Sequence, residues 1–563
     1  GVPIVTETQD PVEGVVNPRC SAKEVKNFIL EDLDKSAKML AENTMSGGWS
    51  GDDYGRVTTG TALALKGRVL LLWASPLFNR SNDESRWQDA YSTMLAEKDS
   101  IDACGYGLYS ASGTNATGFA AMFAQSTKNP EAVFVTLYNN VTGDGLDNQK
   151  NNRWERDIRP SNTGGGGKNA SAMLVDMFPM SDGKIPAGTG TYTKLQTSDS
   201  TYDKNVPFVN RDPRFYRTFA FPGYRWTYNG DYSTAVLADT LSGAGKDYVL
   251  WNYVWYTDLD DQGNAESGNS YGADNLLTSK CGVYVRKKSD DLDVNSPLYT
   301  YVAADIKGAA PYYSAAPLIE MRYAEVLLNL AEVACGSGHL SEAVEYIKLI
   351  RARAGYTASN NYGLPSNLSS DQATCMSAVL YERQIEFAYE GKRFDDMRRW
   401  LLFDGGDQFS SISGCPQDWV LTGWGGNTCT WLGFTKFNGQ RRENMEFRTA
   451  DKYGVGGTTA KVSDDPLRKN NVVRTSGVDL RKDLTSQNEE LANWYKTNLV
   501  RNTKKGDGRD SQHNDEYINY RPNYYFLGLS SGASAAGKGL SQTIGWQDYN
   551  NGGAMGTFDP LAE

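Results

Sequence analysis

The sequence lacks any apolar run long enough to span a bilayer, and its first residues, Gly1 to Val5, resemble neither a signal peptide nor a lipidation site. The chain as given is therefore expected to be soluble. Its seven cysteines are widely scattered and none forms a Cys-x-x-Cys pair, which argues against a zinc site. Cys415 and Cys429 bracket a Trp-rich loop and could form a disulfide in an oxidising compartment, but the sequence leaves that pairing open.

Positive charge is also scarce, since 68 acidic residues outnumber 57 lysines and arginines and the formal net charge is -11. Such a surface repels polyphosphates, which argues against broad nucleic-acid binding and against electrostatic docking to anionic lipid. Neutral ligands are favoured. Because hydrophobic residues make up 39% of the chain, it can bury a substantial core and is expected to fold.

Aromatic residues are abundant, with 33 tyrosines and 13 tryptophans, and many lie in stretches rich in glycine, asparagine and aspartate. Their rings combine a flat apolar face with a polar edge, an arrangement that suits contact with sugars or peptides. The composition therefore favours a binding surface built from loops.

Helical periodicity dominates the rest of the chain. The capping-box spacing of Ser21 and Glu24 predicts a helix over 21–41, and residues 61–74 are apolar on more than one side, which is typical of a buried helix. Residues 318–334 and 341–354, the second with Ser341 as N-cap, predict a helix hairpin like one tetratricopeptide unit. Further helices are predicted over 86–102, 372–390, 394–402 and 486–499.

Between the helices the pattern loosens into turn residues with short strands, such as the one predicted over 132–138. The expected fold is mainly α, a tetratricopeptide-like helix-hairpin scaffold with large irregular loop and short-strand insertions. We expect one body over 1–563. It divides into an N-terminal helical part (1–109), a loop-rich insertion carrying the candidate ligand face (110–317), the helix-hairpin scaffold (318–402) and a loop-rich C-terminal part (403–563).

Several ordered segments resemble the SusD/RagB family of outer-membrane nutrient-binding lipoproteins. The most distinctive runs from Tyr381 to Trp400, and the helix hairpin from Leu318 to Gly355 is similar to that of the family. Asn210 to Tyr216, Leu174 to Phe178 and Gly282 to Lys287 match in the same order, and Ile544 to Gly553 matches less distinctively. Family members normally begin with a signal peptide, a lipid-bearing cysteine and several helices that this chain does not show.

The resemblance implies a surface-exposed lipoprotein of the outer membrane that delivers its ligand to a SusC-like TonB-dependent transporter and performs no chemistry. Membrane attachment would run only through a lipidated N-terminus that is not present in this chain. The ligand would be an oligosaccharide, or an oligopeptide in the RagB branch. The Trp-rich insertions favour a glycan.

Two aromatic clusters are the candidate ligand-binding residues. If the segment around residue 250 is extended, alternation places Trp251, Tyr253 and Trp255 on one face as a stacking strip. The packing of these rings inside the insertions is the equally weighted alternative. The full set of candidates is Trp226, Trp251, Tyr253, Trp255, Tyr256, Trp419, Trp424 and Trp431.

No cofactor is expected, although a structural calcium ion is an open hypothesis. Asp258, Asp260 and Asp261 suggest a calcium loop, but Asn269 stands where an EF-hand would place its bidentate glutamate. An ordinary acidic turn fits the same residues. No other metal site is indicated.

Catalytic alternatives are weaker. Glu382, Glu386 and Glu390 share one helical face and could act as paired carboxylates of a surface glycoside hydrolase, but a buried network with arginines such as Arg383 and Arg393 fits the spacing better. The segment 528–532 matches a nucleophile elbow without a helical continuation, and its histidine partner would have to be His339 or His513. The segment 532–539 resembles a phosphate-binding loop but ends in Gly539 where serine or threonine is required.

Overall fold

The structure is a computed structural model that describes most of the chain. The described residues are 1–10, 17–42, 51, 53–111, 113–140, 151–158, 167–227, 247–259, 265–272, 282–289, 298–301, 311–442, 444–454, 465–504, 517–536 and 539–562.

The described chain contains fifteen α-helices and fourteen short strands, labelled here in chain order. The helices are α1 (Ala22–Glu42), α2 (Thr59–Ala74), α3 (Glu84–Ala103), α4 (Thr117–Ala121), α5 (Trp154–Ile158), α6 (Ala172–Met177), α7 (Pro213–Thr218), α8 (Tyr323–Gly336), α9 (Leu340–Ala354), α10 (Gln372–Glu386), α11 (Arg393–Arg399), α12 (Thr428–Leu432), α13 (Pro466–Lys469), α14 (Thr485–Asn498) and α15 (Ser531–Ala536).

The strands are β1 (Ala132–Thr136), β2 (Phe219–Ala220), β3 (Tyr224–Thr227), β4 (Asp247–Leu250), β5 (Val254–Leu259), β6 (Ala265–Gly272), β7 (Tyr284–Val285), β8 (Tyr299–Tyr301), β9 (Pro311–Ser314), β10 (Leu318–Arg322), β11 (Asn444–Thr449), β12 (Leu499–Lys504), β13 (Gln547–Asp548) and β14 (Ala554–Met555).

The scaffold is a stack of antiparallel helix pairs. Helix α2 packs against α1 and α3, while α8 packs against α3, α9 and α10. Every residue of α8 is buried, so this helix is the centre of the stack. At its end a Cβ on Gly336 would lie 2.3 Å from the Trp87 ring, so only glycine allows the two helices to approach this closely. The predicted mainly helical fold with a tetratricopeptide-like hairpin is confirmed.

Local signals placed several helix boundaries well. The capping box at α1 forms as predicted, because Ser21 N–H donates to Glu24 Oε2 at 2.7 Å and Glu24 N–H donates to Ser21 Oγ at 3.1 Å. Helix α2 begins with a second box between Thr58 and Thr61. Helix α9 instead begins after His339, so the N-cap predicted at Ser341 is wrong.

The helix predicted to begin at Leu318 is wrong over its first five residues. These form β10, which pairs antiparallel with β1, with Thr136 opposite Leu318 and Ala132 opposite Arg322. Tyr323 N–H then donates to Glu131 O at 2.8 Å, which joins the start of α8 to the end of the partner strand. A short apolar run has the same pattern in a strand and in a buried helix, and only the presence of β1 decides between them.

Helix α10 is shorter than predicted, because it ends at Glu386 and not at Glu390. The chain turns there: Tyr389 and Gly391 both adopt positive φ, at 59° and 80°. This turn separates α10 from α11 and carries Glu390 away from the helix axis.

The loop-rich insertions contribute small sheets around the scaffold. The largest has four strands in the order β12-β11-β5-β6, and the others are two-stranded. One hydrophobic cluster nevertheless extends from Ala37 to Ile544, so scaffold and insertions share a core. The division at residues 109, 317 and 402 stays a prediction. Among the described helices, none is long and apolar enough to cross a membrane.

A buried ion-pair network joins the scaffold to the insertions. Its centre is Glu386, which accepts from Arg322 at 2.6 Å, from Arg214 at 2.9 Å and from Arg353. Five carboxylates meet five cations, so the network is electrically balanced. Its members are Glu131, Asp212, Glu382, Glu386 and Glu390 with Arg214, Lys287, Arg322, Arg351 and Arg353.

A second buried network holds α11 against α8 and α10. Arg399 binds both Glu332 and Asp396, with its Nη2 at 2.6 Å from an oxygen of each. Arg383 binds Asp396 through two hydrogen bonds of 3.0 Å. These contacts fix α11 although the helix is only seven residues long.

Stability is expected to fall in acid. Burial alone would raise the pKa of Glu390, but Arg322 and Lys287 lower it to about 2, and Arg353, Arg322 and Arg214 likewise hold the pKa of Glu386 well below its usual range. Both carboxyls therefore stabilise the fold fully above their unfolded-state pKa of about 4.3, and this contribution is lost as the pH falls towards 2. Urea midpoints should stay level from pH 7 to 5 and then drop. A midpoint that is constant down to pH 3 would contradict this.

Removing one cation of the network should destabilise the protein strongly. Arg322→Met leaves Glu386 and Glu390 short of a buried counter-charge, which typically costs about 3–5 kcal/mol. The matched control is Arg481→Met, because Arg481 also pairs with an aspartate but its side chain is 64% exposed. The control should cost under about 1 kcal/mol in the same urea denaturation. Equal losses from the two substitutions would show that the network does not stabilise the fold.

Candidate ligand-binding surface

The first predicted aromatic cluster lies in the core and offers no stacking strip. Trp251, Tyr253 and Trp255 are 0%, 1% and 3% exposed, respectively. Trp251 packs on the Trp494 ring at 5.0 Å, and the Tyr253 hydroxyl donates to Asp465 at 2.5 Å. The expectation of an exposed face is wrong because consecutive residues here are all buried, whichever side of the backbone they occupy. The side chains of Trp226 and Tyr256 lie outside the described residues, so those two assignments stay predictions.

The second predicted cluster is also largely packed inside. Trp419 and Trp424 are 0% and 4% exposed, and Trp419 Nε1 donates to Asp559 at 2.7 Å. Trp431 is half-buried and stacks on Trp400, with ring centroids 6.2 Å apart. Of this cluster only Trp431 keeps part of its ring accessible. Cys415 and Cys429 are both free thiols in the structure, so the disulfide considered from the sequence does not form here.

The candidate calcium loop lies largely outside the described residues. Asp260 and Asp261 lie outside the described residues, and Asp258 lies on β5 without a described side chain. No group of three or more potential metal ligands occurs elsewhere in the described chain. Calcium binding at Asp258, Asp260 and Asp261 therefore stays a prediction.

The three carboxylates considered for glycoside hydrolysis are buried in the ion-pair network. Glu382 and Glu386 are 0% exposed, and Glu382 accepts from Arg214 at 2.7 Å and from Arg351 at 2.8 Å. Glu390 is held by Arg322 and Lys287. A glycosidase acid must be protonated beside its substrate, whereas Glu386 and Glu390 have lowered pKa values and bind cations. The predicted buried network is confirmed, but the counter-charges are not Arg383 and Arg393, since Arg383 binds Asp396 and Arg393 donates to Tyr192.

The nucleophile-elbow match has a structural explanation, and its segment continues into the short helix α15, contrary to the expectation of no helical continuation. Part of the phosphate-loop match, residues 537 and 538, lies outside the described residues. Ser530 Oγ accepts from Ala533 N–H at 3.2 Å and so supports the first turn of α15. His339 lies at the turn between α8 and α9, where its ring stacks on Tyr91 at 4.2 Å. His513 lies outside the described residues. Within the described part of the chain, nothing links Ser530 to a histidine.

Accessible rings do occur in a row, formed by Phe394 of α11 and the C-terminal segment. Phe394 and Tyr520 have ring centroids 6.2 Å apart, Tyr520 and Tyr524 5.5 Å, and Tyr524 and Trp546 5.7 Å. Phe394 is 53% exposed and the other three rings are half-buried. We call these four residues the aromatic ladder.

Hydrogen bonds fix the ladder rings at their polar ends. Trp546 Nε1 donates to Phe526 O at 2.8 Å, and the Tyr520 hydroxyl donates to Tyr524 O at 2.8 Å. Tyr520 also stacks on Phe403 at 3.9 Å, which covers one of its faces. Rings held in this way lose little conformational freedom when a ligand stacks on them.

A cavity of about 720 Å³ lies on another side of α11, between α2 and the C-terminal segment. One wall is formed by the aliphatic side chains of Leu65, Val69 and Leu72. Several of its charged groups are already paired, as in the 2.6 Å contact between Arg68 and Glu325 and the ion pair between Arg383 and Asp396. The lining suits an apolar group better than a hydroxylated sugar.

Comparison with known proteins gives consistent matches. A model of the SusD family matches residues 130–546. The curated SusD-like protein P2 of Formosa agariphila is 37% identical over 141 residues, which cover 23% of this chain and 27% of that protein. The chain therefore matches only about a quarter of the length of this relative.

Two solved structures illustrate the structural likeness. A protein named BT4246 is 18% identical with a TM-score of 0.55, over 96% of this chain and 80% of that one. A SusD-like protein from Bacteroides fragilis is 25% identical with a TM-score of 0.47, over 71% of this chain and 64% of that one. The first likeness agrees with the fold described above.

Replacing a ring of the first predicted cluster should affect folding first. Trp251→Ala removes a fully buried indole and should cost about 3–5 kcal/mol of unfolding free energy, measured by urea denaturation. Tyr517→Ala is the control, because that ring is 51% exposed and its loss should stay within about 0.5 kcal/mol. A Trp251→Ala protein as stable as the parent would mean that the ring is not packed as described.

Proposed function

Because the chain belongs to the SusD family, we propose that it is a non-catalytic cell-surface protein that captures an oligosaccharide. It would deliver this ligand to a SusC-like TonB-dependent transporter of the outer membrane. The protein itself would be attached to the surface of that membrane as a lipoprotein. The observation that supports capture of a sugar is the aromatic ladder.

The ladder suits a chain of pyranose rings. Each sugar presents an apolar C–H face that stacks on an aromatic face, while its hydroxyls remain free for polar side chains and water. The four ladder rings follow one another at 5.5–6.2 Å. A ligand lying along them could contact more than one ring at a time, which favours an extended oligosaccharide over a single sugar.

Polar groups are available in the same segments. Arg521 and Asn550 are exposed near Tyr524 and Trp546 in the chain. Such donors and acceptors fix the orientation of a stacked sugar through its hydroxyls. Aromatic faces combined with exposed polar side chains are what a reversible carbohydrate site requires.

A binding role without chemistry fits the state of the carboxylates. Glu382, Glu386 and Glu390 are neutralised by arginine and lysine side chains in the core. A hydrolase would need one accessible acid with a raised pKa and a second carboxylate across the scissile bond. These three residues meet neither requirement.

Substitution in the ladder tests the proposal. Tyr524→Ala and Phe394→Ala should each weaken binding of the best oligosaccharide about 2- to 12-fold, since one aromatic contact is worth about 0.5–1.5 kcal/mol. Affinity is measured by titration calorimetry against a panel of neutral and acidic oligosaccharides and a panel of oligopeptides. The control Tyr517→Ala removes an exposed tyrosine that is not part of the ladder, and it should bind like the parent.

Three outcomes would contradict the proposal. Tight binding of peptides with none of sugars would assign the chain an oligopeptide instead. Release of shorter sugars during incubation would show catalysis. Unchanged affinity in both ladder variants would place the sugar elsewhere, with half-buried Trp431 and the undescribed side chains of Trp226 and Tyr256 as the next candidates.

A further inference from the structure

A cationic aromatic cluster lies where α5 meets the segment after β7. The Lys288 ammonium lies 4.1 Å from the centroid of the Trp154 ring, and the Lys168 ammonium lies 5.0 Å from the same ring. Trp154 is held in place by its Nε1, which donates to Lys287 O at 2.8 Å. The ammonium groups of Lys288 and Lys168 therefore both contact the indole ring of Trp154.

Unlike its neighbour Lys287, Lys288 forms no ion pair with the described residues. Lys287 donates to Glu390 at 2.6 Å and to Glu386 O at 2.6 Å. The Lys288 ammonium has no hydrogen bond or ion pair to any part of the chain that the structure describes. The backbone of Lys288 has a positive φ of 67°, a conformation that residues other than glycine and asparagine rarely adopt.

The surroundings of Lys288 disfavour its charge. Burial is the largest cause that lowers the pKa of this ammonium, and the charges of Lys168 and Lys392 lower it further, while Glu390 and Glu320 oppose them. Glu390 is already bound by Arg322 and Lys287. A cation in such a place is stabilised by an anion that enters beside it.

We propose that Lys288 and Lys168, together with Trp154, form a subsite for an anionic group of the bound oligosaccharide, a carboxylate or a sulfate ester. The proposal rests on the function proposed above and narrows it to acidic glycans. Trp154 holds the two ammonium groups near each other through its ring, and the two ammonium groups receive the anion.

The net charge of the protein makes a local subsite necessary for such a ligand. At -11 the surface as a whole repels an acidic glycan. Selective capture then depends on a place where positive charge is held without its own counter-ion. The lysine and arginines of the buried network are already held in ion pairs, whereas Lys288 forms no ion pair with the described residues.

Calorimetry with ligands of equal length tests the subsite. The full chain is titrated with a neutral hexasaccharide (cellohexaose), a carboxylated one (hexagalacturonate) and a sulfated galactan hexasaccharide. At least one acidic ligand should bind about tenfold more tightly than the neutral one, as expected for one added charge-assisted contact. Which of the two binds distinguishes a carboxylate subsite from a sulfate subsite.

Lys288→Met should reduce the affinity for that acidic ligand about tenfold and leave neutral binding unchanged. Lys348→Met is the matched control, because Lys348 carries the same charge on α9 and pairs with Glu345 at 2.7 Å. It should change neither affinity. The melting temperature of Lys288→Met should be no lower than that of the parent, since an unpaired charge is removed.

The outcomes separate the two proposals. Neutral and acidic ligands that bind equally, or acidic binding that Lys288→Met does not weaken, would overturn the anionic subsite and leave oligosaccharide capture in place. Absence of binding to any oligosaccharide would overturn the proposed function and the subsite with it. If Lys288→Met melts early, Lys168→Met replaces it, because Lys168 is exposed. Acidic binding about threefold weaker in Lys168→Met would support the subsite, and unchanged binding would overturn it.

Discussion

The buried meeting of Glu386 with Arg214, Arg322 and Arg353 is the contact on which the architecture depends. A carboxylate with no exposed surface is stable only if cations reach it from several directions. Here they come from α7, from the end of β10 and from α9. The helix hairpin, the β1–β10 pair and the insertion that carries α7 must therefore occupy their positions together.

The proposed ligand surface depends on this network indirectly. Helix α11 would be marginal alone at seven residues, but Arg399 and Asp396 bind it to Glu332 and Arg383 of the central helices. Phe394 begins the aromatic ladder from that anchored helix. The C-terminal rings then pack on α11 and on Phe403. The scaffold thus supplies rigidity, while the proposed recognition surface lies mostly in segments with little regular structure.

The sequence predicts the helices well because their signals are local. Capping residues and apolar periodicity lie within one or two turns, and they located α1, α2, α3 and α14 to within about two residues. The helix predicted over residues 318–322 is wrong because their partners in β1 lie 182 to 190 residues earlier in the chain, where no local pattern indicates the pairing.

The candidate site was harder to predict. Alternation at Trp251, Tyr253 and Trp255 assumes one buried and one open face, whereas the neighbouring Asn252 and Val254 are buried as well. The partners of Glu382 and Glu386 were also missed, because Arg214 lies 168 residues from Glu382. The ladder joins α11 to residues more than 120 positions later, so composition gave only a weak signal for it: a concentration of tyrosine and asparagine over 517–525 and 544–551. Which aromatic rings lie at the surface depends on tertiary packing, and the spacing of aromatic residues in the sequence does not show it.

The same ion-pair network orders events during biosynthesis. Glu131 is bound by Arg322 and Arg353, which follow it by 191 and 222 residues. A chain that emerges N-terminus first therefore holds this acid without its cations until the helix hairpin has also emerged. The buried network around Glu131 is therefore complete only once the chain has emerged as far as Glu390.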